Sequence, residues 1–71
     1  MKKWKSPDIK PKLYNIKKNF FESNEVLIKT QFGYKVDRYY EEYDPNIKLV
    51  IKAGWYKKDD NSEYISWKEI E

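Results

Sequence analysis

The side chains of this chain that could do chemistry are carboxylates, lysines and tyrosines, because histidine and cysteine are both absent. Proton transfer would fall to one of those groups. The acids cluster at Glu41-Glu42, Asp44, Asp59-Asp60 and Glu63, where loops and strand ends are expected. A catalytic acid needs burial or a like-charged neighbour to shift its pKa, and solvated loop acids are the simpler reading. Asp59, Asn61 and Glu63 alternate as calcium-loop ligands do, but the glycine of that pattern and its flanking helices are missing. A polar turn accounts for the same residues. We therefore expect no enzyme, no metal and no cofactor.

Cations and rings form the other candidate set. Lys48, Lys52 and Tyr56 fall on one parity of an extended stretch, and Tyr39 and Tyr43 fall on a neighbouring one. Lysines interleaved with rings on a small sheet are what single-strand nucleic-acid binders use for stacking and phosphate contact. Asp37, Glu41 and Glu42 stand among those tyrosines and oppose that use. Arg38 is the sole arginine, so bidentate phosphate or base contacts are scarce. Tyr and Trp are also enriched at the centres of protein interfaces, and Trp4 either folds back onto the sheet or anchors a partner.

The elements that must position these residues follow from periodicity. Ile47, Leu49, Ile51, Ala53 and Trp55 alternate with Lys48, Val50, Lys52 and Gly54, the pattern of a strand with one buried face. This stretch is expected to be the centre of a small sheet. Val26 to Thr30 is a clear strand, and Tyr34 to Tyr43 is a second, with rings on both parities and a bulge or twist near Arg38-Tyr39. Asp44-Pro45-Asn46 is a turn, and residues 58–62 form a polar loop. Tyr64 to Ile70 is the last strand, with Ile65 and Trp67 on one face and Tyr64, Ser66 and Ile70 on the other. Lys12 to Glu22 places Leu13, Ile16 and Phe20 at helical spacing, after Pro11. The short spacing between turns leaves no room for the crossovers of a parallel sheet.

With 71 residues the chain is one domain at most, and a core this small is marginal. No disulfide can staple it. Its 3 Trp, 7 Tyr and 3 Phe take that part, since each buried ring removes roughly 150–250 Å² from water. Marginal size also makes a homodimer worth expecting. No apolar run reaches the length of about 20 residues that a membrane span needs. Charge is uneven: residues 1–18 carry seven lysines against Asp8, whereas the rest of the chain has more acids than bases.

The order Val26-Leu27-Ile28, Gly54-Trp55-Tyr56, a polar loop and Tyr64-Ile65-Ser66-Trp67-Lys68-Glu69-Ile70 resembles a family of short phage and prophage proteins of unknown function. That family has a Val-Leu-Val strand, a Trp-Tyr strand and a closing Val-Thr-His-Trp. The resemblance covers roughly residues 26–70 and departs from the pattern at Ser66, which stands where the family has His, and at Lys68-Glu69. It implies a small β domain from a mobile element and no activity.

The expected fold is mainly β. It is a small antiparallel meander of three to four strands over residues 13–71, able to curl into an SH3-like open barrel. A basic extended arm covers residues 1–12, and there is room for one short helix. The expected function is non-enzymatic: a phage- or prophage-encoded, cytoplasmic interaction module that binds a host protein and modulates host or defence machinery. The alternative is a nucleic-acid binder using the Lys/Tyr face and the arm. Candidate binding residues are Trp4, Tyr39, Tyr43, Lys48, Lys52 and Tyr56.

Overall fold

The computed structural model describes residues 3–70. Met1, Lys2 and Glu71, the outermost residues of the expected arm and domain, lie outside it. Seven strands follow one another: β1 (Tyr14–Lys17), β2 (Phe20–Glu22), β3 (Val26–Thr30), β4 (Gly33–Asp37), β5 (Tyr39–Asp44), β6 (Leu49–Trp55) and β7 (Tyr64–Glu69). They form two antiparallel sheets, one of four strands in the order β1-β2-β5-β6 and one of three in the order β4-β3-β7. The mainly β, antiparallel expectation holds. The sheets do not close into a barrel, and there are more strands than the three to four expected.

The additional strands have two sources. Residues 12–22 are a hairpin, not a helix. Asn19 sits in the left-handed region at φ 62°, which Asn tolerates better than most residues. The Asn15 side-chain amide donates to the carbonyls of Lys17 and Phe20 across the turn, at 3.1 and 3.5 Å. Local turn chemistry therefore outweighs the helical spacing of Leu13, Ile16 and Phe20. The long strand expected over Tyr34 to Tyr43 is split at Arg38, where the chain leaves the three-stranded sheet and enters the four-stranded one.

Two buried polar residues hold these crossings. At the step from β2 to β3, the Ser23 amide donates to the Tyr39 carbonyl at 2.8 Å, and the Tyr39 amide donates to Ser23 Oγ at 2.9 Å. At the step from β4 to β5, Asp37 accepts the Arg38 amide at 2.7 Å, the Lys57 amide at 2.9 Å and the Tyr64 hydroxyl. A buried carboxylate needs such donors to offset its desolvation. Here they come from the corner, from the chain leaving β6 and from β7, so one side chain fastens three segments.

The core lies on one face of the three-stranded sheet: Val26, Ile28, Tyr64 and Trp67, with Trp55 packed against it from β6. Ile28 pairs with Trp67, and Thr30 with Tyr64. Tyr64 and Trp67 reach the same face because Ile65 is the extra residue of a bulge opposite Lys29 and Thr30. The bulge turns Ile65 to solvent and corrects the expected grouping of Ile65 with Trp67.

The expected arm is not free. Lys5 exchanges both backbone hydrogen bonds with Trp67, at 2.7 and 2.9 Å. The Trp67 indole N–H donates to the carbonyls of Ser6 and Ile9 at 3.1 and 2.7 Å, and Pro11 is buried. Lys5 thus pairs with β7, and Ser6 and Ile9 close over the edge of the Trp67 indole.

The largest correction concerns the stretch expected at the centre of the sheet. β6 is the outer strand of the four-stranded sheet, and Ile47, Leu49 and Ile51 are 56, 62 and 52 % exposed. Alternation reports a strand whose faces differ, but not whether a second layer covers either face. Among the described residues none does at β6 until Trp55, whose ring meets Tyr39 and Tyr64 edge-on at 5.2 and 5.6 Å between centroids.

Candidate functional site

β6 is entered through a built turn. Asp44 Oδ1 accepts the Asn46 amide at 2.9 Å, and the Asp44 carbonyl accepts the Lys48 amide at 2.8 Å. Lys48, rather than Asn46, takes the left-handed conformation, at φ 59°. From there the strand pairs with β5 alone, from Asp44–Leu49 to Tyr39–Trp55, with Ile51 as the extra residue of a bulge. Among the described residues no strand lies on its outer side. Leu49, Val50 and Ile51 are therefore consecutive apolar residues at a free edge, and Val50 is 47 % exposed.

The other edge of the sheet differs. β1 has four residues against seven in β6, and its register breaks between Asn15 and Lys17. A short edge discourages pairing, and both edges carry a bulge and a lysine. β6 retains length and apolar character.

Cross-strand register defines the two faces of the sheet. One face carries the row Tyr14, Glu22, Tyr40, Gly54 and the row Lys17, Phe20, Glu42, Lys52. Tyr40 lies across Gly54 and packs on Tyr56 on one side and Phe20 on the other, with centroids 4.8 and 6.1 Å apart. The Tyr56 hydroxyl donates to Glu22 Oε2 at 2.7 Å, and that bond pushes its pKa up to about 12. Arg38 pairs with the other oxygen of Glu22 at 3.6 Å. Lys17 Nζ stands 5.3 Å from the Phe20 ring centre. The helical spacing of Leu13, Ile16 and Phe20 hides this ring row in the sequence. The Tyr-Tyr and Gly-Trp-Tyr stretches were its one visible signal.

The structure brings some of the candidate residues together and separates others. Lys52 and Tyr56 border the same shallow recess, with Phe20, Tyr40 and Glu42. Tyr39 and Tyr43 lie on the opposite face, opposite Trp55 and Val50, and burial followed by the Glu41 charge raises the Tyr39 pKa. Lys48 stands in the turn that feeds the edge. Trp4 lies far from this set, against Tyr34 and beneath Lys68 Nζ on the three-stranded sheet.

In the polar loop the Asp59 carboxylate is committed locally. Asp59 Oδ1 accepts the Asn61 and Ser62 amides, both at 2.9 Å, and those donors hold its carboxyl below the usual range. Among the described residues no group of three or more acids is placed to hold a metal ion, and no helix is long and apolar enough to cross a membrane. The chain matches no protein-family model, no curated protein and no solved structure.

Proposed function

We propose that this chain is a non-enzymatic docking module that takes an extended segment of another protein alongside β6, as a fifth strand of the four-stranded sheet. One observation carries the reading: Leu49, Val50 and Ile51 are exposed together at an unpaired sheet edge. Such an edge offers a row of backbone donors and acceptors, and in a lone protein it is an aggregation hazard. An added strand would satisfy the backbone and cover the apolar side chains. The likeness of the Trp55-Tyr56 and Tyr64–Ile70 stretches to phage proteins supports a host-cell protein as the source of that segment, met in the host cytoplasm.

Selection of displayed random peptides on the intact protein tests this, followed by amide hydrogen exchange of the complex. Extended, apolar-centred peptides that slow exchange across residues 49–55 are the expected outcome. Selection of no peptide, or protection confined to the β1–β2 hairpin, would overturn it.

A second reading has Lys52, Tyr56 and Lys17 contacting single-stranded nucleic acid from one sheet face. Glu22 and Glu42 on that face oppose it, and Phe20, Tyr40 and Tyr56 stack on one another instead of presenting open ring faces. Fluorescence titration with a single-stranded oligonucleotide at low salt separates the two readings. Salt-sensitive quenching of Trp55, lost in Lys52→Glu, would favour this one.

A further inference from the structure

We infer that the outward face of the three-stranded sheet is a stacking platform for single-stranded nucleic acid. This site is separate from β6 and does not depend on strand addition there. Pairing across the face is regular: Val36, Leu27 and Lys68 form one row, and Tyr34, Lys29 and Ser66 the next, with the bulge of β7 beyond Lys29. The opposite parity of these strands holds the core. Trp4 completes the face. Lys5 bridges to Trp67 on the side of β7 away from β3 and β4, so about 14 Å of sheet separates the backbones of Trp4 and Tyr34. Their rings nevertheless lie 5.9 Å apart between centroids, tilted by 32°. The two rings therefore lean toward one another over the sheet, and Lys68 Nζ stands 4.8 Å from the Trp4 ring centre. Tyr34 is 66 % exposed and Trp4 39 %, and Lys29 is exposed as well.

Charge decides the occupant. The outward positions of β3, β4 and β7 include Lys29 and Lys68 and no carboxylate. Every other sheet face carries an acid: Glu22 and Glu42 on one side of the four-stranded sheet, Glu41 on the other, and Asp37 on the core side of the three-stranded one. Glu69, at the end of β7, has the core-side parity and reaches Lys5 at 3.9 Å. An anionic ligand therefore meets attraction without repulsion on this face. The rings narrow the choice of anion. Bases stack on exposed rings whatever their sequence, while phosphates take the ammonium groups. A base inside a duplex already has neighbours on both of its faces, so the ligand is single-stranded. In the free protein Lys68 holds the Trp4 ring, but an exposed cation–π contact is weaker than base stacking on the same ring. A base thus takes the ring, and the displaced ammonium turns to the adjoining phosphate.

The test titrates the intact protein at low salt with four fluorescein-labelled probes, read by anisotropy: oligothymidine, its duplex with oligoadenosine, an abasic strand of the same length and a poly-glutamate peptide. Oligothymidine should bind tightest, and the other three about tenfold or more weaker, since none of them offers unpaired bases. Tyr34→Ala should cost oligothymidine about tenfold in affinity and leave the abasic strand unchanged. Lys29→Gln should reduce the slope of log affinity against log salt by about 0.7, the share of one phosphate contact. Both side chains are exposed, so neither variant opens the core. Amide chemical shifts on binding should move across residues 27–36 and 66–68. Equal binding by the duplex, the abasic strand or poly-glutamate would overturn the inference, in the last case in favour of an acidic peptide held by charge alone. Shifts confined to Lys52 and Tyr56 would overturn it in favour of the other sheet. No binding of oligothymidine at low salt would overturn it outright.

Discussion

The Tyr64 hydroxyl donates to Asp37 Oδ2 at 2.5 Å, and both residues are withdrawn from solvent. The bond joins the last strand to the corner where the chain changes sheets, and the same carboxylate receives the Arg38 and Lys57 amides. Removing the carboxylate orphans three donors at once. Asp37→Ala is expected to cost about 3 kcal/mol or more, and Tyr64→Phe, which removes one donor, about 1–2 kcal/mol. Urea unfolding of the two variants measures this. Equal losses would mean that Asp37 acts through the Tyr64 bond alone.

Alkaline pH should unfold the protein earlier than aromatic content alone would imply. In Tyr56 and Tyr64 both hydroxyls donate to carboxylates while neutral, and both pKa values are raised in the folded state: that of Tyr64 by burial and then by its bond to Asp37, that of Tyr56 to about 12 by its bond to Glu22. A raised folded-state pKa means that the contribution is complete below the unfolded value of about 10. It is lost as pH rises from there through the folded values. Denaturant midpoints should hold between pH 8 and about 9.5 and fall above about 10. Tyr56→Phe and Tyr64→Phe should each flatten that decline. A parallel decline in both variants would place its origin elsewhere.

Exposure at β6 predicts a sharp contrast in stability. Ile51→Glu and Val50→Glu remove side chains that touch no second layer, and are expected to change stability by about 0.5 kcal/mol or less. Ile28→Ala and Trp67→Ala open the core and should cost about 2–5 kcal/mol. Thermal or urea denaturation checks the contrast. A loss at Ile51 as large as that at Ile28 would mean that the edge is covered in solution.

The contrast also shows where the sequence was readable. β3 was legible from end to end because Val26-Leu27-Ile28 is a β-branched-rich run stopped by a Gly-containing turn. Asp44-Pro45-Asn46 was legible because Asp44 caps that turn. β6 was recognised as a strand, but its position was not, because an apolar-polar alternation has the same form at a covered centre and at a bare edge. Ile65 misled for a different reason. A bulge adds one residue and reverses parity, and no residue type marks it. Of the candidate site, Lys52 and Tyr56 are legible as companions on one extended stretch, whereas Tyr39, Tyr43 and Trp4 depend on inter-strand register and on the path of the arm.

The hairpin that replaced the expected helix turns on Asn19. At φ 62°, a residue with an ordinary Cβ is strained by roughly 1 kcal/mol. Asn19→Ala should therefore lower stability by about that much, and Asn19→Gly should be close to neutral. Chemical denaturation of the pair measures both. If both variants lost the same amount, the cause would be the side chain of Asn19 and not its backbone.

The placement of Tyr64 and Trp67 in the last strand sets the order in which the chain can fold. During synthesis, all of β1 to β6 leaves the ribosome before β7 does. Val26 and Ile28 then wait without the two rings that seal them, and Trp67 must still find Lys5, Ser6 and Ile9 at the far end of the chain. Such contacts join residues 58 and 61 positions apart, and closing loops of that length is slow. The core is thus sealed only when β7 docks, and until then the chain displays Val26 and Ile28 together with the bare β6 edge.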